Sequence, residues 1–383
     1  METIAKATLL GRAAQYDICA ACGSSSSRVR DDIGRWIFPA AMPDGRHILL
    51  YKVLMTNACQ RDCAYCANRS SRDGPRASFS PEELAATFDE LVRRRLASGL
   101  FLSSAVWDST GQAMERMIAA VELVRLRFRF QGYVHLKILP GAEWAAVERA
   151  TRLADRVSIN LEAPNPYRLA RLSQSKRFQE DLVQRMRWAR DLMATPGATA
   201  HSQTTQLVVG AADETDREIL LTASRLYREL GLSRAYYSAF QPVPGTPLEN
   251  RPATPPLREH RLYQSDFLLR SYGFRCQEIV FDPAGNLPLA ADPKQLWAQA
   301  HPEWFPLEVN RADREALLRV PGIGPKSAAR ILAHRRERTV RDLESLSRLG
   351  VVTRRAAPFL LLAGRRPPFQ LSLWPESGPP GER

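Results

Sequence analysis

The stretch TNACQRDCAYCANR (residues 56–69) holds Cys59, Cys63 and Cys66 in Cys-x-x-x-Cys-x-x-Cys spacing, directly after an apolar run of strand length. Soft thiolates at this spacing can bind one iron–sulfur cluster from a single loop. Three protein ligands on a four-iron cluster leave one iron open to another ligand. Zinc is the alternative, but it takes four ligands, usually from two separated pairs, and no second pair lies nearby at a matching distance. The spacing therefore favours a 4Fe–4S cluster with one open coordination position.

Outward from this stretch, apolar runs of strand length alternate with amphipathic segments of helix length. The pattern predicts strands at residues 47–56, 99–106, 133–139, 156–162, 205–210 and 234–240. Ser80-Pro81 and the acidic run 213–216 predict two of the helix starts between them. Repeated strand–helix units imply a parallel sheet with chemistry at the carboxyl ends of its strands. The predicted fold is α/β, a partial (β/α)6 TIM-like barrel, with an open doubly wound sheet as the alternative.

Composition divides the chain into five predicted segments, with a helix also expected within residues 1–16. These are an N-terminal extension (1–46), a barrel core (47–281), a proline-rich linker (282–307), a small all-α domain (308–366) and a flexible tail (367–383). Proline has no N–H to donate to a central strand, so the proline-rich part of the chain is not expected to add strands to the middle of the sheet. The core is therefore predicted to end with a helix at 257–272 and one short strand at 275–281.

The bulk properties restrict the class of protein. With 383 residues and 44% hydrophobic residues the chain can bury a core, and its net charge of +13 attracts polyanions such as nucleic acid. Five of the six cysteines lie in the first 66 residues without a signal peptide, which is typical of metal ligands in a reducing compartment. No apolar stretch reaches the roughly 18 residues that span a membrane. The sequence predicts a cytoplasmic protein without membrane contact.

The cysteine triplet after the first strand of a strand–helix series resembles the radical S-adenosylmethionine (SAM) superfamily. The resemblance implies a 4Fe–4S cluster and SAM as cofactors, and an electron donor such as flavodoxin or ferredoxin as a partner. One electron from the cluster cleaves SAM into methionine and a 5′-deoxyadenosyl radical, which abstracts hydrogen from the substrate. The cofactors carry this chemistry and the protein positions it.

The same resemblance implies SAM contacts near the ends of the strands. The candidate residues are Tyr65, Ser103, Ser158, Asn160, Glu162 and Gly210. Three of them, at positions 158, 160 and 162, alternate and would point to one side of a strand. Ordinary polar residues at strand ends are the alternative interpretation.

The second informative stretch, RVPGIGPKSAAR (319–330), places a glycine-rich turn between two helical segments. It resembles a helix-hairpin-helix motif. Such glycines let a phosphate approach the backbone, and the N–H groups of the second helix point at the anion. The candidate DNA contacts are Gly322, Gly324, Lys326 and Ser327.

A second, degenerate copy of the hairpin is predicted at residues 342–364. Between residues 308 and 366, fourteen Lys or Arg stand against six Asp or Glu, an excess of eight positive charges. This concentration favours a nucleic-acid module over a helical module that binds protein.

Together, the two modules resemble a group of radical SAM proteins assigned to DNA modification or repair, often encoded beside a uracil-DNA-glycosylase-like protein, which becomes a candidate partner. The resemblance implies a radical enzyme that acts on a flipped or single-stranded base in DNA. An enzyme that modifies RNA or a nucleotide, and a non-enzymatic iron–sulfur DNA-binding redox sensor, stay open as alternatives. Cys19, Cys22 and Cys276 are either part of a second metal site or thiols without metal, and the sequence favours the thiols.

Overall fold

The computed structural model describes residues 3–14, 36–41 and 47–369. The chain forms two compact units, Met1–Leu262 and Tyr263–Arg383. Within the described residues no helix is both long and apolar enough to cross a membrane. Cys19 and Cys22, and the predicted tail from residue 370 onward, lie outside the described residues.

The first unit is built on a seven-stranded sheet whose spatial order follows the order of the chain. The strands are β1 Ile37–Ala41, β2 His47–Leu54, β3 Gly99–Ser103, β4 Tyr133–Lys137, β5 Arg156–Ser158, β6 Ser202–Val209 and β7 Arg234–Ala239. The last six pair in parallel, and the sheet curls into a half-barrel. The predicted α/β class and the partial (β/α)6 barrel are confirmed.

The antiparallel strand β1 is an addition that the sequence analysis does not predict. It contains Pro39, which argues against a central strand. Among the described strands, β1 pairs with β2 alone and forms the edge of the sheet, where a missing N–H is tolerated.

The helices of the first unit are α1 Thr3–Ala13, α2 Pro81–Arg93, α3 Thr110–Glu122, α4 Trp144–Leu153, α5 Pro166–Leu172, α6 Gln184–Met193 and α7 Asp216–Leu230. Four of them, α2, α3, α5 and α7, begin at a residue whose side chain caps the helix. The Ser80 and Thr215 side chains each accept a hydrogen bond from the third residue of their helix, and a glutamate at that position returns one to the cap. Both predicted helix starts are therefore confirmed, the second with Thr215 as its cap.

Side chains of the parallel strands alternate between two faces. Leu100, Leu102, Val134 and Leu136 are fully buried, and the residues between them face the inside of the half-barrel. The polar strand ends of the inner face thus meet at one edge of the sheet, where the cavity described below lies.

The second unit is mainly helical. A helix α8, Pro256–Ser271, leads into it, and α9 Pro293–Ala300, α10 Arg314–Arg319, α11 Pro325–His334, α12 Leu343–Arg348 and α13 Thr353–Ala356 follow. Strand β8 (Leu307–Glu308) pairs in parallel with β9 (Leu360–Leu361). Fully buried Leu317, Ile331 and Leu346 belong to one apolar core under the two helical hairpins.

One local prediction in this part of the chain is wrong. Residues 275–281 do not form a strand but contain the short 3-10 helix Cys276–Glu278. The stretch predicted as a linker contains α9, whose start is Asp292-Pro293. Here proline occupies the first helical turn, where its missing N–H costs nothing, so the same residue that suggests a linker begins a helix.

We expect Gly322→Ala to destabilise the second unit by about 3 kcal/mol or more. Gly322 has φ +85°, and an added Cβ would lie 2.5 Å from the Val352 carbonyl oxygen. Gly273→Ala is the matched control, because its φ is +76° and nothing lies within 4 Å of its Cβ. Hydrogen-exchange protection of peptides covering residues 314–334 measures the loss. Equal losses in both variants would contradict the steric argument.

Candidate functional site

The loop that carries the three cysteines folds around the guanidinium of Arg76. This side chain donates hydrogen bonds of 2.5 to 3.1 Å to the main-chain carbonyls of Asn57, Asn68, Arg69 and Arg72. A main-chain carbonyl buried without a hydrogen-bond donor costs free energy of folding. The planar guanidinium has five N–H donors, and here it satisfies four such carbonyls. The shape of the cysteine loop therefore depends on a residue that lies outside the motif.

A carboxylate ties the same loop to the segment after α5. Asp62 accepts hydrogen bonds from the hydroxyls of Ser173 (2.5 Å) and Ser175 (2.6 Å) and from the N–H of Gln174 (2.9 Å). Burial opposes ionisation of Asp62, but these hydrogen bonds outweigh it and lower the pKa to about 2. The anchor is consequently charged throughout the neutral range, and is lost only as the pH falls toward 2.

All three cysteines line one cavity of about 430 Å³ at the carboxyl ends of the strands. The Cys59 sulfur accepts the N–H of Arg61 and the Cys66 sulfur that of Asn68, both at 3.4 Å. Burial raises the pKa of the Cys63 thiol, and it raises that of Cys66 to about 12. Since metals bind thiolates, loading this loop releases protons.

The donor set suits a cluster better than a single ion. Among the described residues, no three His, Cys, Asp or Glu side chains come together as ligands of one metal ion. In a cluster each thiolate binds a different iron, so the sulfurs need not converge on one point. Three thiols around one cavity fit a 4Fe–4S cluster that keeps one iron open.

A buried ion pair lies beside the thiols. The Lys176 ammonium donates to the Glu162 carboxylate at 3.4 Å and hydrogen-bonds to Cys63, and the Tyr65 hydroxyl shares a hydrogen bond with Glu162. Burial alone would lower the pKa of Lys176, but the negative charges that Cys63, as a thiolate, and Glu162 carry raise it. Glu162 itself has φ +64°, a left-handed conformation that is strained for this residue type.

Not all of the predicted SAM contacts reach this cavity. Tyr65, Ser103, Asn160 and Glu162 line it, whereas Ser158 and Gly210 are not among its lining residues. Gly210 shapes a turn instead. Its φ is +87°, its N–H bonds to the Glu214 carboxylate, and an added Cβ would lie 2.0 Å from the Thr254 hydroxyl.

The strand-end pattern does not predict several of the residues that line the cavity. Lys176 follows α5 in a loop with no periodicity, and Arg61 lies inside the cysteine motif without being a ligand type. Arg61 donates to the Ser175 carbonyl at 2.8 Å, so its position between two cysteines could have suggested a structural role. Glu259, from the start of α8, also lines the cavity.

In the second unit the two hairpins lie side by side and are joined by hydrogen bonds. The Val352 N–H donates to the Gly322 carbonyl at 3.0 Å, and the Ser327 hydroxyl donates to the Gly350 carbonyl at 2.6 Å. Gly324 is the N-cap of α11 and has no side chain to occupy the first N–H groups of that helix. The turns therefore place the starts of α11 and α13 next to each other.

The four predicted DNA contacts have different surroundings. Lys326 is exposed, and Gly324 leaves the start of α11 open. Ser327 is buried and its hydroxyl is engaged by the second hairpin, and Gly322 packs against that hairpin rather than facing outward. A buried Lys294 from α9 donates to the Ile323 carbonyl at 2.5 Å, and burial, aided by Arg319, lowers its pKa to about 7. Cys276 is buried in this unit.

We expect Arg76→Met to lower the iron bound per chain at least severalfold after anaerobic reconstitution, because four loop carbonyls lose their donor. Arg93→Met, on the exposed side of α2, is the charge-matched control. Iron and sulfide analysis with the absorbance near 400 nm measures the effect. Wild-type iron content in Arg76→Met would show that the loop holds its shape without this cation.

Comparison with solved structures finds matches at low sequence identity. The FeFe-hydrogenase maturase HydG from Carboxydothermus hydrogenoformans matches with a TM-score of 0.48 and 12% identity over 57% of this chain and 51% of that chain. Methylornithine synthase (PylB) matches with a TM-score of 0.47 and 15% identity over 58% and 62%. The chain thus spans about half to three-fifths of the length of these proteins. A comparison with curated protein sequences finds no match.

Two family models match the chain itself. The model of the radical SAM superfamily matches residues 53–226, which include the three cysteines, and the helix-hairpin-helix model matches residues 307–334. Members of the first family bind a 4Fe–4S cluster and SAM. The chain therefore contains a radical SAM domain at residues 53–226 and a helix-hairpin-helix motif at residues 307–334.

Proposed function

We propose that this radical SAM protein is an enzyme that modifies or repairs nucleic acid, with DNA as the first candidate. The observation that carries the proposal is the presence of two modules in one chain. A cavity with three thiols and a buried Lys176–Glu162 pair suits radical chemistry. A pair of linked hairpins in a strongly basic segment suits a polyanion that is held by its backbone.

The chain's own residues suggest how the cofactors would be held. Cys59, Cys63 and Cys66 would bind the cluster, and the bound cluster and SAM together supply the 5′-deoxyadenosyl radical. SAM carries an ammonium and a carboxylate. Glu162 can accept from the former and Lys176 can donate to the latter, in a buried site where such charge-assisted bonds are strong.

Other lining groups would complete the SAM site. Ser103 and Asn160 offer a hydroxyl and an amide for its ribose and carboxylate, and Tyr65 holds the Glu162 carboxylate in place. Ser158 and Gly210 would act indirectly, since neither lines the cavity. These assignments rest on position and donor chemistry.

The hairpins would bind phosphates without reading sequence. The uncapped start of α11 offers main-chain N–H groups, and Lys326 adds a positive charge. An external donor such as flavodoxin or ferredoxin would reduce the cluster in a reducing cytoplasm. A uracil-DNA-glycosylase-like partner is proposed from the family resemblance alone.

The direct test is anaerobic turnover of reconstituted, reduced protein with SAM and, in parallel reactions, single-stranded DNA or RNA, followed by digestion and mass spectrometry of the nucleosides. A new modified nucleoside in DNA supports the proposal. A product found only in RNA selects the RNA-modifying alternative. Tight DNA binding without any 5′-deoxyadenosine selects the redox sensor.

We expect Cys63→Ala to abolish formation of 5′-deoxyadenosine, because the cluster loses one of three thiolate ligands. Chromatography of dithionite-reduced reactions with SAM measures the product. Cys276→Ala, which removes a buried thiol of the second unit, should retain cleavage. Cleavage by Cys63→Ala at the wild-type rate would rule out this cluster assignment.

We expect the double variant Lys326→Gln and Arg354→Gln to bind DNA at least tenfold more weakly at low salt, since Arg354 is an exposed arginine of α13, the helix that follows the second turn. Each removed phosphate contact should reduce the slope of log affinity against log salt by about 1. Arg348→Gln, which removes an exposed arginine at the end of α12, is the control. Fluorescence anisotropy with DNA and RNA of one sequence measures both quantities. An unchanged slope would argue against the hairpins as the phosphate-binding surface.

A further inference from the structure

The turn of the first hairpin (residues 314–334) packs on a buried lysine from another helix. Lys294, in the first turn of α9, is only 7% exposed. Its ammonium donates to the Ile323 carbonyl at 2.5 Å and lies 4.7 Å from the centroid of the Tyr272 ring. Ile323 and Gly324 are the two residues before α11, so this lysine lies directly behind the turn from which that helix starts.

The contact with Lys294 determines the direction of the next N–H group. The peptide between Ile323 and Gly324 is trans, and in a trans peptide the carbonyl and the N–H point in opposite directions. Because the carbonyl is directed at the buried ammonium, the Gly324 N–H is directed away from it. Among the described residues nothing accepts a hydrogen bond from this N–H. It therefore stays available for a ligand, beside the open N–H groups at the start of α11.

Within the described residues no carboxylate forms an ion pair with Lys294, because arginines engage the acids on the elements around it. These pairs are Arg355 with Asp292, the cap of α9, and Arg319 with Glu278 and Glu315. Burial, and then the positive charge of Arg319, lowers the pKa of Lys294 to about 7. Near neutral pH the amine is therefore present in both its charged and its neutral form.

A phosphate bound at this turn would supply the negative charge that Lys294 lacks. It would accept from the Gly324 N–H, on the opposite side of the same peptide, and water screens such an interaction little when one of the charges is buried. The phosphate would favour the protonated amine, and by linkage the protonated amine favours the phosphate by the same factor. Affinity for phosphate should therefore be highest below the pKa of the free lysine and fall as the pH rises through about 7.

We propose that Lys294 is a positioning residue for the nucleic-acid backbone: its ammonium orients the Ile323–Gly324 peptide and couples phosphate binding by the first hairpin to the uptake of a proton. The inference rests on the hairpin part of the proposed function and is independent of the chemistry in the thiol-lined cavity. Lys294 is buried and comes from α9, so it acts through the peptide and not by touching the phosphate.

The test is the pH dependence of DNA binding by full-length, anaerobically reconstituted protein. Fluorescence anisotropy with a rhodamine-labelled single-stranded DNA is measured at pH 6 and pH 8.5, at one ionic strength. We expect the wild-type affinity to fall at least tenfold between these values, the effect of a rise of about one unit in the pKa of Lys294 on binding. Lys294→Met should bind weakly at both. Parallel pH profiles in wild type and Lys294→Met would overturn the proposal.

Two further substitutions separate the charge of Lys294 from its hydrogen bond. Lys294→Gln keeps a donor for the Ile323 carbonyl without a charge, and should bind DNA weakly at both pH values. Lys294→Arg keeps a charge at both, and should bind at pH 8.5 as tightly as the wild type does at pH 6. A wild-type pH profile in Lys294→Gln would refute the role of the charge. Hydrogen-exchange protection of peptides covering residues 314–334 shows which variants keep the folded turn, and if arginine does not fit, the glutamine variant decides.

Histidine is the other side chain that commonly changes charge between these pH values, so the histidines of the second unit are the controls. They are His301, which pairs with Glu303, and His334 at the end of α11. Replacing both with Gln should leave the wild-type pH dependence in place. A dependence that these changes abolish and that persists in Lys294→Met would overturn the proposal. Lys326→Gln removes an exposed ammonium from the same turn, and should weaken binding by the same factor at both pH values.

The hairpin variants distinguish failure of this inference from failure of the proposed function. Unchanged DNA affinity and salt slope in the double variant Lys326→Gln and Arg354→Gln would refute the hairpin surface, and the role of Lys294 with it. Weakened binding in that double variant, together with parallel pH profiles in wild type and Lys294→Met, would refute the role of Lys294 alone.

Discussion

Charge compensation around the buried ammonium of Lys176 is the interaction on which the site depends. Its partners, Glu162 and Cys63, come from two different parts of the unit, a strand end and the cysteine loop. A buried ammonium without a counter-charge would be costly, so these contacts hold the cysteine loop to the segment that carries Glu162. The left-handed backbone of Glu162 belongs to the same arrangement, since it directs this carboxylate into the cavity wall.

The sequence predicts the parts of this molecule that obey a local rule. Six parallel strands follow from alternating apolar runs, and Ser80 and Thr215 start helices because their side chains satisfy free N–H groups. The elements that the sequence does not predict are those whose proline acts differently in different surroundings. Pro39 argues against a strand but lies in an edge strand, and Pro293 starts a helix in a stretch that composition assigns to a linker.

The residues of the candidate site also fall into those that a local sequence rule identifies and those that depend on the folded surroundings. Cysteine spacing identifies the three candidate ligands, and the strand-end pattern selects Ser103, Asn160 and Glu162, which do line the cavity. Lys176 and Arg76 cannot be found by pattern, because each acts through contacts that only the folded loop creates. The hairpin motif is visible in the sequence, but the packing of Gly322 against the second hairpin is not, since it needs a partner some thirty residues further along.

The four main-chain carbonyls that accept hydrogen bonds from Arg76 also affect what happens to the cysteine loop when the cluster is lost. The four hydrogen bonds that shape the cysteine loop involve no sulfur and no metal, so they persist when the iron is gone. Because these hydrogen bonds join protein atoms alone, we expect a chain that has lost its iron to keep the loop shape that binds the cluster, whereas a zinc finger unfolds when its metal leaves.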